Sequence, residues 1–161
     1  MAGAKSNKGK LVALLLVPAA LVVSLVLLAL RLRLEPPTVP TYALVGDAGA
    51  ITARHGERFE LTMVPAAQSA GAVSARAFLL RGDTVRPWDP PFTVVRDGTV
   101  TLSGTVDALF EGVAPGEWEI AIAVGRPETL PTAPRDVILA RDAGAEGRAW
   151  RLVRQRIILG G

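Results

Sequence analysis

One imidazole and no thiol bound the chemistry open to this 161-residue chain. His55 is the only histidine and cysteine is absent, so His/Cys zinc clusters and a thiolate nucleophile are excluded. A Ser-His-Asp triad would have to run through His55, with Ser69, Ser74 or Ser103 as nucleophile, and no Gly-x-Ser-x-Gly elbow exposes any of them. Paired carboxylates can divide acid and base roles between them. Glu117 and Glu119 share a strand face, and Glu57 and Glu60 flank a strand start, but solvated faces account for both pairs. The oxygen spacing of a calcium loop is missing around Asp83 and Asp89, and no phosphate-cradling glycine loop of the P-loop type occurs. Arg81-Gly82-Asp83 matches an adhesion tripeptide, yet a hairpin turn after a strand ending at Leu80 explains the same residues. The expectation is no enzyme, no cofactor and no metal.

Binding chemistry is better represented. In 86–91, Pro87, Pro90 and Pro91 oppose a central strand position. Trp88 is therefore expected on an edge or loop between Arg86 and Asp89, where an aromatic can anchor a partner or stack on a sugar; capping the open end of a core is the alternative. Arg148, Arg151, Arg154 and Arg156 make the last segment basic. That suits a charged edge strand that resists aggregation, or a docking surface for anionic lipid or an acidic partner. The candidate partner-binding residues are thus Trp88, Arg86, Asp89, Arg154 and Arg156. Trp118 and Trp150 lie on apolar strand stripes and are expected in the core.

These residues need elements to hold them, and the first is the run 11–30, twenty residues without a charge and with only Ser24 polar. As a helix it would cover roughly 30 Å, a bilayer's hydrocarbon thickness. It outlasts a secretory h-region and ends at Leu30-Arg31 rather than at an Ala-x-Ala-type cleavage site, so an uncleaved transmembrane helix is expected, kinked at Pro18. Without cysteine there is no lipobox. Lys5, Lys8 and Lys10 precede the run, which points the tail 1–10 to the cytoplasm and the rest outward. Of the 18 basic residues these are the only lysines, leaving fifteen arginines against 15 carboxylates, so the exported part is formally neutral and the basic pI names no nucleic-acid partner. Arginine-only, Ala/Gly/Val-rich usage fits a bacterial genome rich in G and C.

Residues 31–41 carry Pro36, Pro37 and Pro40 and read as an extended linker. Residues 42–161 have the size of one domain. Phe59, Leu61 and Met63 alternate with polar neighbours, as do Val73, Ala75, Ala77 and Leu79. Segments 92–95 and 99–102 flank Asp97-Gly98, a hairpin signal. Trp118, Ile120, Ile122 and Val124 form the clearest stripe, opposite Glu117, Glu119, Ala121 and Ala123. Strands are also expected near 42–45 and 50–53, a short helix over 134–142 and a helical turn over 107–110. Segment 148–159 reads as a strand because of Ile157-Ile158, although Trp150, Val153 and Ile157 also have helical spacing. Regular strands with Gly and Pro turns suggest two packed sheets.

Residues 109–124, in which Ala114-Pro115-Gly116 leads into Trp118 and its alternating strand, resemble the late hairpin of bacterial immunoglobulin-like domains. The wider stretch 75–127 resembles exported domains of single-pass proteins from high-GC bacteria. The resemblance implies an antiparallel Ig-like sandwich and carries over no functional residue. The expected whole is mainly β, one N-terminal transmembrane helix plus an Ig-like sandwich with one or two short helices, in a bacterial plasma membrane. Its expected role is a non-catalytic sensor, scaffold or accessory subunit, in contact with the bilayer and a protein partner and with neither nucleic acid nor a small-molecule cofactor. An envelope hydrolase using carboxylates, or a partner of an anti-sigma-type membrane regulator, is the alternative.

Overall fold

Every second residue of 58–63 is apolar, and Phe59, Leu61 and Met63 are buried while Arg58 and Glu60 stay exposed, the pattern of a strand with one wet face. The computed structural model describes residue 24 and residues 39–46, 49–69, 71–143 and 149–160. Two compact units are present, Met1–Pro37 and Thr38–Gly161, and of the first only Ser24 is described. In the second the elements run β1 (Tyr42–Leu44), β2 (Ile51–Ala53), β3 (Arg58–Pro65), β4 (Ser74–Arg81), β5 (Thr84–Trp88), β6 (Phe92–Val94), β7 (Val100–Thr105), α1 (Val106–Leu109), β8 (Gly116–Gly125), a 3-10 turn (Pro127–Thr129), α2 (Pro134–Ala143) and β9 (Trp150–Leu159).

The strands form two sheets, ordered β1-β3-β7-β6 and β2-β9-β8-β4-β5. All pairs are antiparallel except β2 with β9. Phe59, Leu61, Met63, Val100 and Leu102 of the first sheet meet Ala77, Leu79, Ile120, Ile122, Val124, Val153 and Ile157 of the second in one core. The fold is a β-sandwich.

The five-stranded sheet also carries a second layer. Phe78, Leu80 and Ala121 point away from the sandwich core and enclose Val137 of α2; Ala123 packs with Ala140, Leu130 and Trp150. Small Ala121 and Ala123 on that face leave room for the helix, and the bulky residues of β8 stay on the other face. Arg76 Nη1 donates to Pro131 O at 3.1 Å and ties the β8–β9 connection to the sheet. The solvent face expected for Ala121 and Ala123 is thus a helix-covered one. Trp150 is buried as expected, but under the connection rather than between the sheets.

The first strand pair divides between the sheets. β1 lies on β3, the chain crosses over, and β2 runs beside β9. Gln155 is the one buried polar side chain among the described residues. Its amide donates to Gly49 O at 2.5 Å and to Arg156 O at 3.0 Å, pinning the crossing loop to β9.

Turn chemistry closes the end where the chain enters. Asp97 Oδ1 accepts from Thr99 N at 2.8 Å, and that bond holds the carboxyl below its ordinary range. Gly98 sits at φ +94°, where a Cβ would lie 3.1 Å from Ser69 Cβ and 3.4 Å from the Tyr42 hydroxyl. Tyr42 donates to Gly98 O at 3.2 Å.

The expected fold class needs one correction. Among the described residues no helix is long and apolar enough to cross a membrane, so a membrane-spanning helix is not part of the observed architecture. The run 11–30 behind that expectation, like the tail 1–10, lies outside the described residues, Ser24 excepted. The last residues assigned to the linker also behave otherwise than a free stalk: Val39 is buried, its carbonyl accepts from Arg151 Nε at 3.1 Å, and Thr41 O accepts from Ala66 N at 2.8 Å.

Two outcomes are expected. Phe78→Ala, which empties the space beneath α2, should cost about 3–5 kcal/mol in urea unfolding; a loss under about 1 kcal/mol would mean that the helix does not cover this face. Burial, aided by Asp97, raises the Tyr42 phenol above its usual 10.0. A raised folded pKa gives stability that is complete below the unfolded value and is lost as pH rises through the folded one. The ultraviolet absorbance of this single tyrosine should therefore titrate above 10.0 in the folded protein and return towards 10.0 in denaturant, and Tyr42→Phe should remove that alkaline loss.

Candidate functional site

Arg81 ends β4 and pairs with Thr84 across a two-residue turn, Gly82-Asp83. Gly82 at φ +59° occupies the first central position, where a type II′ hairpin needs a positive φ. The hairpin register sets Arg86 opposite Leu79. Residues two apart share a face, so Arg81 and Arg86 both lie on the Leu79 side of the sheet. Trp118 near the start of β8 has the same sense, two residues before Ile120. The three side chains meet: the guanidinium carbons of Arg81 and Arg86 lie 5.3 and 5.4 Å from the Trp118 ring centroid, within cation–π range. Gly116 lies beside the stack, and a Cβ there would stand 3.3 Å from Arg81 Nη2, so the guanidinium would have to give way by a few tenths of an ångström. The indole N–H donates to Ala114 O at 2.8 Å, which fixes the ring's orientation.

Beside this stack an open groove of about 590 Å³ runs along the end of the sheet, lined by Arg81, Trp118, Glu117, Glu119, Arg156 and Ile158 among others. Glu119 is engaged by Arg154 through two parallel contacts, Nε to Oε1 and Nη2 to Oε2, the latter 2.8 Å. Among the described residues neither Arg81 nor Arg86 has a carboxylate partner. The geometry suits binding of an anionic group against an aromatic wall.

The chain matches no family model and no curated protein.

Of the residues singled out in the sequence, Arg156 lines the groove, and Arg86 lies outside it, over the Trp118 ring. Arg154 reaches the groove's rim only as the partner of Glu119. Trp88 lies on edge strand β5 but turns inward: it stacks on Phe110 at 5.0 Å and 20°, its Nε1 donates to Leu109 O at 2.7 Å, and it packs on the core. Capping the core is the role that Trp88 fills. Asp89 is exposed just beyond that strand. Trp118, expected in the core, is half-buried at its margin, with one side against the core cluster and two arginines on the ring. Arg81 and Trp118 were the unforeseen members. A hairpin turn was expected here, but with the strand ending at Leu80; the observed two-residue turn keeps Arg81 paired with Thr84 and puts it on the face of Arg86.

Catalytic constellations do not assemble among the described residues. His55 Nδ1 contacts Asp107 Oδ1, and Asp107 Oδ2 accepts from Gly56 N at 3.1 Å. The shallow cleft beside them is lined by Val106, Phe110, Val113, Pro115, Leu159 and Gly160, without a serine. Ser74 pairs with Gly125 and Ser103 with Glu60, and the hydrogen bond of the His55 ring among the described residues goes to Asp107. Glu119 is committed to Arg154, so Glu117 and Glu119 do not form a free acid–base pair. No group of three or more metal-ligating side chains occurs among the described residues.

Trp118→Ala should cost about 1–2 kcal/mol, the sum of partial burial and two exposed cation–π contacts, well short of Phe78→Ala. Iodide should quench the tryptophan emission more strongly than caesium does, because the ring most open to solvent is flanked by cations. In Trp118→Phe that preference should vanish. Equal quenching by the two ions in the unaltered protein would separate the guanidiniums from the ring.

Proposed function

We propose that this chain is a non-catalytic interaction module, held at a bacterial plasma membrane with its sandwich outside the cytoplasm, which binds a partner through the surface formed by Trp118, Arg81 and Arg86. The observation that carries this reading is the pair of arginines, without carboxylate partners among the described residues, on a half-exposed indole. Arginine and tryptophan are the side chains over-represented where binding energy concentrates. Position supports it as well. The chain enters the sandwich at Val39, beside Arg151, which pairs with Val124, whereas Trp118 sits six residues back along the same strand, roughly 20 Å away. Trp118 is therefore at the end of the sheet away from Val39. The apolar run 11–30 and the three lysines before it support the membrane location.

The strand order supports an immunoglobulin-like reading of the sandwich. β1-β3-β7-β6 corresponds to strands A-B-E-D, and β9-β8-β4-β5 to G-F-C-C′. Such a fold carries no function by itself, so the site is what the proposal rests on.

A photo-crosslinking residue in place of Asp83, at the turn beside the groove, tests this in the full chain in its native membrane. Adducts should form there and not from Thr101, on the far sheet's solvent face, and Trp118→Ala should abolish them. Adducts from Thr101 alone, or none from Asp83, would overturn the assignment. Hydrolytic turnover lost on His55→Ala would replace it with the enzyme reading.

A further inference from the structure

We infer that the free edge of β6 accepts an added strand: a short extended segment of another protein, uncharged and apolar at alternate positions, held through its backbone. This is a second surface, apart from Trp118 and its arginines. The ladder decides which groups are available. β6 pairs antiparallel with β7 through Phe92–Leu102, Thr93–Thr101 and Val94–Val100, and Val95 N donates to Thr99 O at 3.0 Å. In an antiparallel pair, residues bonded to the neighbouring strand alternate with residues whose N–H and C=O point away from it. Val95 and Thr93 are therefore bonded to β7, and Phe92 and Val94 turn their backbone groups to the open side. β6 ends its sheet, and among the described residues no acceptor meets the N–H of Phe92 or Val94.

Sheet edges are ordinarily guarded by charge or proline. β5, an edge of the other sheet, carries Pro87, which has no N–H to offer an added strand. Residues 92–95, Phe-Thr-Val-Val, carry neither guard, and Val94 and Val95 are 39% and 50% exposed. Pro90 and Pro91 before them and the turn after Val95 confine the pairing, so the captured segment is short. Its chemistry follows from the register. A residue paired with Phe92 or Val94 shares their face, the one on which Phe92 packs against the core, and has to be apolar. The residue between stands opposite Thr93, on the solvent face. The added strand would lie two strand spacings, about 10 Å, from β7, clear of Thr101. A second copy of the chain fits less well. Self-pairing would run two β6 strands antiparallel, and β6 leads towards the end where Tyr42 donates to Gly98 O. The entry ends of two copies would then point opposite ways, against the single membrane proposed above.

The test is selection of a random short-peptide display library on the full chain in mild detergent, followed by titration of synthetic copies of the enriched peptides. These should be uncharged and apolar at alternate positions. Methylating one alternate set of their amide nitrogens should abolish binding and methylating the other set should not, the period of two that strand pairing imposes. Val94→Pro removes an N–H that the β6–β7 ladder does not use, so it should keep the unfolding midpoint and weaken the peptides about tenfold or more. Val94→Lys, which puts a charge on the edge, should weaken them as well and decides the matter if proline disturbs the fold. Val45→Lys, at an exposed valine just after β1, should leave binding unchanged. No enrichment, enriched peptides without alternation, methylation effects without the period of two, or binding indifferent to both Val94 variants would each overturn the inference. So would a dimer of the chain that Val94→Lys dissociates, which would assign the edge to a second copy. Asp83 adducts report the other surface, so the two readings stand or fall separately.

Discussion

Strand β8 has to be apolar on both faces, and most of the structure follows from how it meets that demand. Ile120, Ile122 and Val124 fill the space between the sheets, while Ala121 and Ala123 lie under the β8–β9 connection and α2. Bulk on one face and methyl groups on the other let a helix approach the sheet closely without overpacking. β8 pairs with β4 on one side and along the whole of β9 on the other, so fixing β8 fixes the sheet. The helix covers only part of the outer face. Beyond it, Glu117, Glu119, Arg154 and Arg156 stand in solvent-accessible positions, and the groove is what is left there.

Two arrangements of arginine stand side by side at this end and differ in kind. Arg154 is matched by Glu119 through a bidentate contact, a local neutralisation that needs nothing from outside. Arg81 and Arg86 are held by an aromatic ring. A ring quadrupole attracts a cation but does not cancel its charge, so the pair keeps an outward field, which water screens only in part at short range. Glu117 and Asp83 nearby limit how broadly that field extends and make it local.

The sandwich was legible because its strands announce themselves by period. Phe59, Leu61 and Met63, or Ile120 and Ile122, alternate cleanly, and Asp97-Gly98 and Ala114-Pro115-Gly116 mark turns. What failed to show was long-range. Nothing in Ala121 or Ala123 says whether water or a helix lies above them, since alanine suits either. Trp88 and Trp118 exchanged their expected surroundings for a similar reason: local pattern assigns a face, but how far the opposite sheet reaches along that face decides burial. The prolines about Trp88 correctly spoke against a central strand and were silent on which way its ring would turn. The paired arginines were hidden because their meeting depends on the hairpin register, which keeps Arg81 in β4 and sets Arg86 opposite Leu79.

The division of the first strand pair has a mechanical meaning. The chain enters at Val39 and runs along β3 through the Tyr42–Pro65, Ala43–Val64 and Leu44–Met63 pairs, with further bonds from Ala66 N to Thr41 O and from Val45 N to Thr62 O. It then crosses and lies parallel to β9. A pull at Val39 directed away from the groove acts along these strands. The hydrogen bonds of the ladder are then strained together in shear, where a pull across the strands would part them one at a time. Crossing to the second sheet brings both layers under the same load. Forced opening is governed by the unfolding barrier rather than by equilibrium stability, and this layout puts the first load of a pull at Val39 on the whole β1–β3 ladder.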